Sequence, residues 1–362
     1  MKAFSKINIA ITICFLLLSS IVVSQVQESN EGEVKIGAYY FDGWTGTYSY
    51  HITPELVKSF SNRESKWGWI TSSQKVMNDQ IELAANSGLS FFSFCWYYNG
   101  KDKYKDEPLN RSLGFFLNSP NINKLNYTLL VANHAGFIIG PDDWTTVSNE
   151  WISQFKSKSY LRVEGKPLIT FFSLNTLIDQ FKTADKVKNA LNQLRSQAVK
   201  AGLQGVSVAI VLGPTKKDVE LAEACGFDIL TGYNYHTAGF ASGKTIIPIE
   251  DMQSGEISIW NQFSKLTKLP YIPVTTVNWD PRPWANAKNN YSNAPYFVGL
   301  SDTSIFNSVK ACKNWLLNNS NNSVQEKIGI IYAWNEYGEG AYLTPTKEGF
   351  EPLKGVSKAL GK

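Results

Sequence analysis

The strongest constraint on this chain is a rhythm. From Lys35 onward, short apolar runs alternate with longer stretches of helical periodicity. The runs are Lys35–Phe41 (KIGAYYF), Ser90–Tyr97 (SFFSFCWY), Tyr127–Asn133 (YTLLVAN), Pro167–Ser173 (PLITFFS), Ser207–Gly213 (SVAIVLG), Asp228–Tyr233 (DILTGY), Tyr271–Trp279 (YIPVTTVNW) and Ile328–Asn335 (IGIIYAWN). Each is almost continuously hydrophobic, as strands are when both faces of a parallel sheet are covered. Helices are expected near Gln74–Ser87, stopped by Gly88, and at Asp142–Ser159, Ala184–Ala201, Val219–Cys225, Ile257–Leu266, Ser304–Leu317 and Pro352–Leu360. Eight such strands alternating with helices define an α/β chain and favour a single (β/α)8 TIM barrel over a doubly wound sheet. No G-x-G-x-x-G follows the first strand, and no linker divides residues 25–362, which are read as one barrel domain.

Residues 1–24 stand apart from this pattern. Lys2 and Lys6 precede an apolar stretch from Ile7 to Val23, and small residues lead to Gln25, which describes a secretory signal peptide. An uncleaved anchor is the alternative, because the stretch approaches the length of a spanning helix. The expectation is export to the periplasm or the medium, without stable membrane insertion once the leader is removed. Beyond the leader, which holds Cys14, the three remaining cysteines Cys95, Cys225 and Cys312 are odd in number, widely spaced and set in apolar segments, so buried free thiols are expected rather than a disulfide framework. The net charge of +4 is spread over scattered lysines, which suits a solvated face and not a nucleic-acid surface.

In a (β/α)8 barrel the chemistry gathers at the C-terminal ends of the strands. Those ends carry Asp42 and Trp44 after the first strand, Trp96 and Tyr98 at the second, and Asn133 and His134 at the third. Asn234 and His236 follow the sixth, and Trp279, Asp280, Arg282 and Trp284 the seventh. The eighth ends in Asn335-Glu336-Tyr337-Gly338-Glu339. Aromatic and hydrogen-bonding residues therefore recur where a ligand would sit, a mixture suited to the apolar face and hydroxyl rim of a sugar. Each has a structural use too. Asp42 could cap the Gly43–Gly46 turn, Asp280 could start a turn before Pro281, and the tryptophans could be core. The two histidines suit a hydrogen-bonding wall better than a metal site, because no H-E-x-x-H or comparable cluster is present.

Glu336 and Glu339 are the candidate catalytic pair. Repulsion between close carboxylates raises one pKa, giving one proton donor and one ionised base, the division of labour that glycosidic cleavage requires. Loop capping, or pairing with Arg282 or a lysine, is the structural alternative. Elbow, P-loop and Cys–His signatures are missing.

Trp334–Gly340 (WNEYGEG), followed by Ala341-Tyr342-Leu343-Thr344-Pro345, resembles glycoside hydrolase family 99, the endo-α-mannosidases and endo-α-mannanases. More closely it resembles their bacterial relatives, the family 99-like proteins labelled WbsX-type glycosyltransferases. The opening Tyr39–Trp44, Gln80–Tyr97, Tyr160–Leu168 and Val277–Trp284 fit the same group. The resemblance implies a (β/α)8 barrel acting on α-linked glycans with no metal or redox cofactor. It also implies a Glu-x-x-Glu pair in which Glu336 deprotonates the sugar 2-hydroxyl, through a retaining anhydrosugar route, and Glu339 is the acid/base at the glycosidic oxygen. The expected partner is an oligosaccharide or polysaccharide. Glycosyl transfer, or carbohydrate binding without catalysis, are the competing readings.

Overall fold

The ladder of parallel strands begins and ends on the same element. In the computed structural model, which describes residues 34–46, 51–240 and 243–362, the strands are β1 (Lys35–Tyr40), β2 (Phe91–Trp96), β3 (Asn126–Val131), β4 (Lys166–Phe171), β5 (Ser207–Val211), β6 (Ile229–Thr231), β7 and β8 (Ile328–Tyr332). β7 comes in two pieces, Tyr271–Ile272 and Val274–Thr276, separated by Pro273. The first piece pairs with β6 (Leu230 with Tyr271) and the second with β8 (Val274 with Ile330). β8 in turn pairs with β1 (Lys35 with Ile328), so the eight strands close into a parallel barrel. Proline has no N–H to give the ladder, yet its carbonyl still accepts from Ile330 N–H at 3.0 Å. The seventh run is thus a strand interrupted at the residue that cannot donate.

Helices α1 (Pro54–Ser59), α2 (Gln74–Asn86), α3 (Arg111–Leu117), α4 (Trp144–Phe155), α5 (Leu174–Phe181), α6 (Ala184–Lys200), α7 (Lys216–Ala224), α8 (Ile249–Leu266), α9 (Asp302–Asn318) and α10 (Leu353–Leu360) follow the strands. Their starts are chemically marked. Thr53, Ser73, Ser173, Thr183, Thr215 and Ser301 each accept from a first-turn N–H through the side chain. The helices differ from the sequence reading in places. α1 and α5 are additional helices, and α8 begins at Ile249, not Ile257. Pro248 precedes its first turn, Glu250 and Asp251 complement the helix dipole there, and Gly255 lets the helix press on Ala238. A Cβ at Gly255 would lie 2.4 Å from the Ala238 carbonyl oxygen.

The core has two layers. Inside the barrel, Gly37 on β1 faces the Phe91 ring of β2, which occupies the space a Cβ would need. Outside it, Gly329 on β8 meets Cys312 and Leu316 of α9. Trp96, Trp144, Trp151 and Phe171 interlock between strands and α4. Residues Val34–Lys362 pack as one compact unit. Cys95, Cys225 and Cys312 are buried free thiols. The leader expected over 1–24 lies outside the described residues, and no helix among them is long and apolar enough to cross a membrane.

At the C-terminal end of the barrel three asparagines hold the strands to their neighbours. Asn335 Oδ1 accepts from Phe41 N–H and its Nδ2 donates to Phe41 O. Asn133 does the same for Phe172 and Ser173, and Asn110 for both backbone groups of Tyr97. Where parallel strands splay apart, their orphaned amides and carbonyls are thereby satisfied.

Candidate active site

After β8 the chain turns back on itself. Asn335–Glu336 pairs antiparallel with Ala341–Tyr342, and Tyr337–Glu339 forms a single 3-10 turn between them. Gly340 closes the turn at φ +69°, a left-handed conformation that favours glycine. Gly338 lies beneath Trp284, whose indole would be 2.0 Å from any Cβ there. The turn is pinned from outside. Arg63 donates to the carbonyls of Tyr337 (3.2 Å) and Gly338 (3.5 Å), Asp280 N–H donates to Glu339 O at 2.7 Å, and Asn278 Nδ2 donates to Gly340 O at 3.0 Å. Arg63 itself is ion-paired to Asp280, which also holds Arg282 through Nε at 2.8 Å. This ion triad, buried at Arg63 and Asp280 and half-buried at Arg282, holds the turn that carries the two carboxyls.

Glu336 is buried and Glu339 half-buried, and neither makes an ion pair among the described residues. Burial pushes the Glu336 carboxyl well above the usual carboxylate range, and the neighbouring charge of Glu339 pushes it further, against one hydrogen bond from Tyr233. Burial raises Glu339 as well, but the Tyr332 hydroxyl, which donates to its Oε2, and the Trp279 side chain both favour its ionised form. With two donors against one, Glu339 loses its proton first. The pair therefore retains a proton on Glu336 above the range where carboxyls ordinarily ionise.

Around the pair the mouth is aromatic. Tyr233 packs against Tyr39, Phe172 and Tyr332 with centroids 4.8–5.2 Å apart. His236 stacks on Trp279 at 4.4 Å, with Nδ1 2.7 Å from Asn234 Oδ1, and burial lowers its pKa, favouring the neutral ring. His134 is half-buried among Tyr97, Phe137 and Phe172. Trp284 covers the Glu336–Glu339 turn from the side of His51. Among the described residues no cluster of three His, Cys, Asp or Glu is arranged to hold a metal ion.

Of the residues expected at the site, Glu336, Glu339, Asn234, His236, Trp279 and His134 are brought together at the mouth, while Trp284 packs on Gly338, Trp44 and His51. The others hold the mouth in shape. Trp96 and Tyr98 are a correction: they stack on each other in the strand–helix layer, Trp96 against Trp151, and Tyr98 donates to Asp143 at the start of α4. Trp44 is fully buried, donates to Asn335 O, and packs on Tyr337, itself buried and hydrogen-bonded to Thr344. Asp42 is buried under α3, accepting from Ser112 N–H and the Ser72 hydroxyl, with a pKa pushed up to about 7 by burial. Asn133 and Asn335 are strand-end clamps, while Asp280 and Arg282 belong to the ion triad. Tyr233 stands at the end of the sixth apolar run, but Tyr332 and Arg63 carry no signal in the sequence. Tyr332 sits inside an apolar run, and Arg63 in a polar loop without a motif, so no local pattern marks either.

The class these features define is a (β/α)8 barrel with an acidic pair beyond its last strand. Residues 68–352 match the family model described as glycosyltransferase WbsX, and the chain belongs to that family. No curated protein matches the sequence. Among solved structures it is similar to a glycoside hydrolase-like protein (12% identity, TM-score 0.63, covering 91% of this chain and 94% of that one). It is also similar to the GH99 endo-α-mannosidase of Bacteroides thetaiotaomicron (13%, TM-score 0.60, 90% and 95%). GH5_18 of Streptomyces cattleya is more distant (10%, TM-score 0.53, 91% and 80%). At such identities the likeness is one of fold.

Proposed function

We propose that the protein is an exported, retaining glycoside hydrolase that cleaves α-linked glycans, with Glu336 and Glu339 as its catalytic carboxyls. The observation that carries this reading is the pair itself. Two carboxyls without ion-pair partners interact at the barrel mouth, each on a tyrosine side chain, within an aromatic wall. Asp42, a buried acid with a structural role, is spent on a backbone N–H and a serine hydroxyl, whereas Glu336 and Glu339 act on each other.

In the proposed cycle Glu336 removes the proton of the sugar 2-hydroxyl, and that oxygen attacks the anomeric carbon. The glycosidic bond breaks as Glu339 protonates the leaving oxygen. Water, deprotonated by Glu339, then opens the anhydrosugar, and the 2-oxygen recovers its proton from Glu336. Both attacks invert the anomeric carbon, so the net result is retention. The first step needs the shared proton on Glu339, the reverse of the order that burial and the side-chain donors favour. A sugar hydroxyl donating to Glu336 would favour its ionised form, and the remaining proton would pass to Glu339.

The family's description favours glycosyl transfer as a second reading. One experiment separates them. Purified protein is incubated with α-mannans, α-glucans and N-glycans, with and without nucleotide-activated sugars, and products are identified by mass. Shortened glycans in the absence of an activated donor support hydrolysis. Elongated acceptors appearing only with a donor would replace it with transfer.

A further inference from the structure

The two donors on Glu339 are themselves held from one side. Tyr332 is 1% exposed, and burial together with the charges of Glu339 and Glu336 raises its pKa, so the phenol keeps its proton. An ionised carboxylate only accepts, and that proton is donated to Glu339 Oε2. The Tyr332 oxygen is left as an acceptor, and the Asn234 side chain hydrogen-bonds it. Only the Nδ2 end of an amide can donate there, which gives Oδ1 to His236, 2.7 Å from Nδ1. An amide oxygen accepts, so Nδ1 carries the hydrogen of the neutral ring. Three hydrogen bonds thus run in one direction, from His236 through Asn234 and Tyr332 to Glu339.

His236 serves the other donor as well. Its ring stacks on Trp279 with centroids 4.4 Å apart, and the Trp279 side chain is the second group that favours the Glu339 carboxylate. Its neighbours Trp279, Asn234 and Phe240 carry no charge, and burial keeps the ring neutral. The titratable groups facing Glu339 are Glu336 of the same turn and Tyr332. Tyr233 faces Glu336, and Asp280 is spent on Arg63 and Arg282. We infer that His236 and Asn234 are positioning residues for Glu339, joined to it through Tyr332 in one directed hydrogen-bond chain. The use of the chain in acid/base catalysis rests on the hydrolase reading, whereas its existence does not. Breaking a link weakens the donor that favours the Glu339 carboxylate, so the carboxyl holds its proton to higher pH.

Nuclear magnetic resonance tests the chain without a substrate. In protein carrying isotope-labelled histidine, the His236 signal is identified by its loss in His236→Phe. The parent should show it neutral at pH near neutrality, with the hydrogen on Nδ1. In protein carrying isotope-labelled glutamate, the Glu339 carboxyl is identified through Glu339→Gln and titrated. Its midpoint should rise by about half a pH unit in Asn234→Ala, a roughly threefold change in the ionisation constant. A smaller rise is expected in His236→Phe, which keeps a ring on Trp279, and about one unit in Tyr332→Phe, which removes the direct donor. A hydrogen on Nε2 of His236 in the parent would overturn the chain, as would a Glu339 midpoint that Asn234→Ala leaves in place. Glycan cleavage by the parent is scored separately, so its absence would count against the hydrolase reading and not against the chain.

Discussion

Glu256 shows how far burial alone can move a carboxyl in this fold. It projects from α8, is buried, and accepts from Thr276 N–H at 2.6 Å and the Thr275 hydroxyl at 3.2 Å. Burial pushes its pKa up to about 8, against those hydrogen bonds. The folded state thus keeps a proton that the unfolded chain releases near pH 4.5. Stability contributed by this group is present below that pH and declines as pH rises to about 8, by on the order of 4 kcal/mol. Glu256→Gln, which retains an acceptor for Thr276 N–H, should remove that decline. Urea denaturation from pH 5 to 8 checks it: the variant should gain on the parent as pH rises, whereas parallel profiles would mean that Glu256 stays ionised. Glu336 and Glu339 experience the same physics with a different outlet. Their burial is offset by tyrosine and tryptophan donors and by sharing a proton, which keeps acid chemistry available at the mouth.

Among the elements, the strand ends are the parts whose roles the sequence displayed and disguised together. Apolar runs located all eight strands, since a covered parallel strand has no polar face to interrupt it. The Glu-x-x-Glu turn was legible as well, because glycines and acids directly after such a run have little structural use. Less legible was the division between residues facing the mouth and residues bracing it. Asn335 and Asn234 look alike in sequence, yet Asn335 is consumed by Phe41, whereas Asn234 stands beside His236. Trp96 and Trp279 both close apolar runs, but Trp96 is the last residue of β2 and turns toward α4, whereas Trp279 lies three residues beyond β7 and reaches Glu339. Which face a strand-end residue takes depends on where the strand stops. The clamp reading makes its own forecast. Asn335→Ala strips partners from a buried N–H and a buried carbonyl of Phe41, and should cost about 2–4 kcal/mol in chemical denaturation. A loss below about 0.5 kcal/mol would show that water replaces the clamp.

Across the whole molecule, closure of the barrel gathers the candidate site at one end and leaves stability to the rest. The thiols belong to the latter. Cys95, Cys225 and Cys312 are buried, and burial raises each above its ordinary pKa. In the native protein they should resist a thiol reagent at neutral pH, react fully in denaturant, and leave thermal unfolding unchanged by reductant. Rapid labelling of the folded protein would contradict the packing described for α9 and β2. The candidate site rests on the turn that Arg63, Asp280 and Trp284 fix in place. The most direct test of it compares glycan cleavage by the parent and by Glu339→Gln, at equal concentrations of folded protein on the same α-linked substrates. The account expects the substitution to lower the rate by roughly a hundredfold or more while the fold is retained. Equal rates in the two proteins would contradict it.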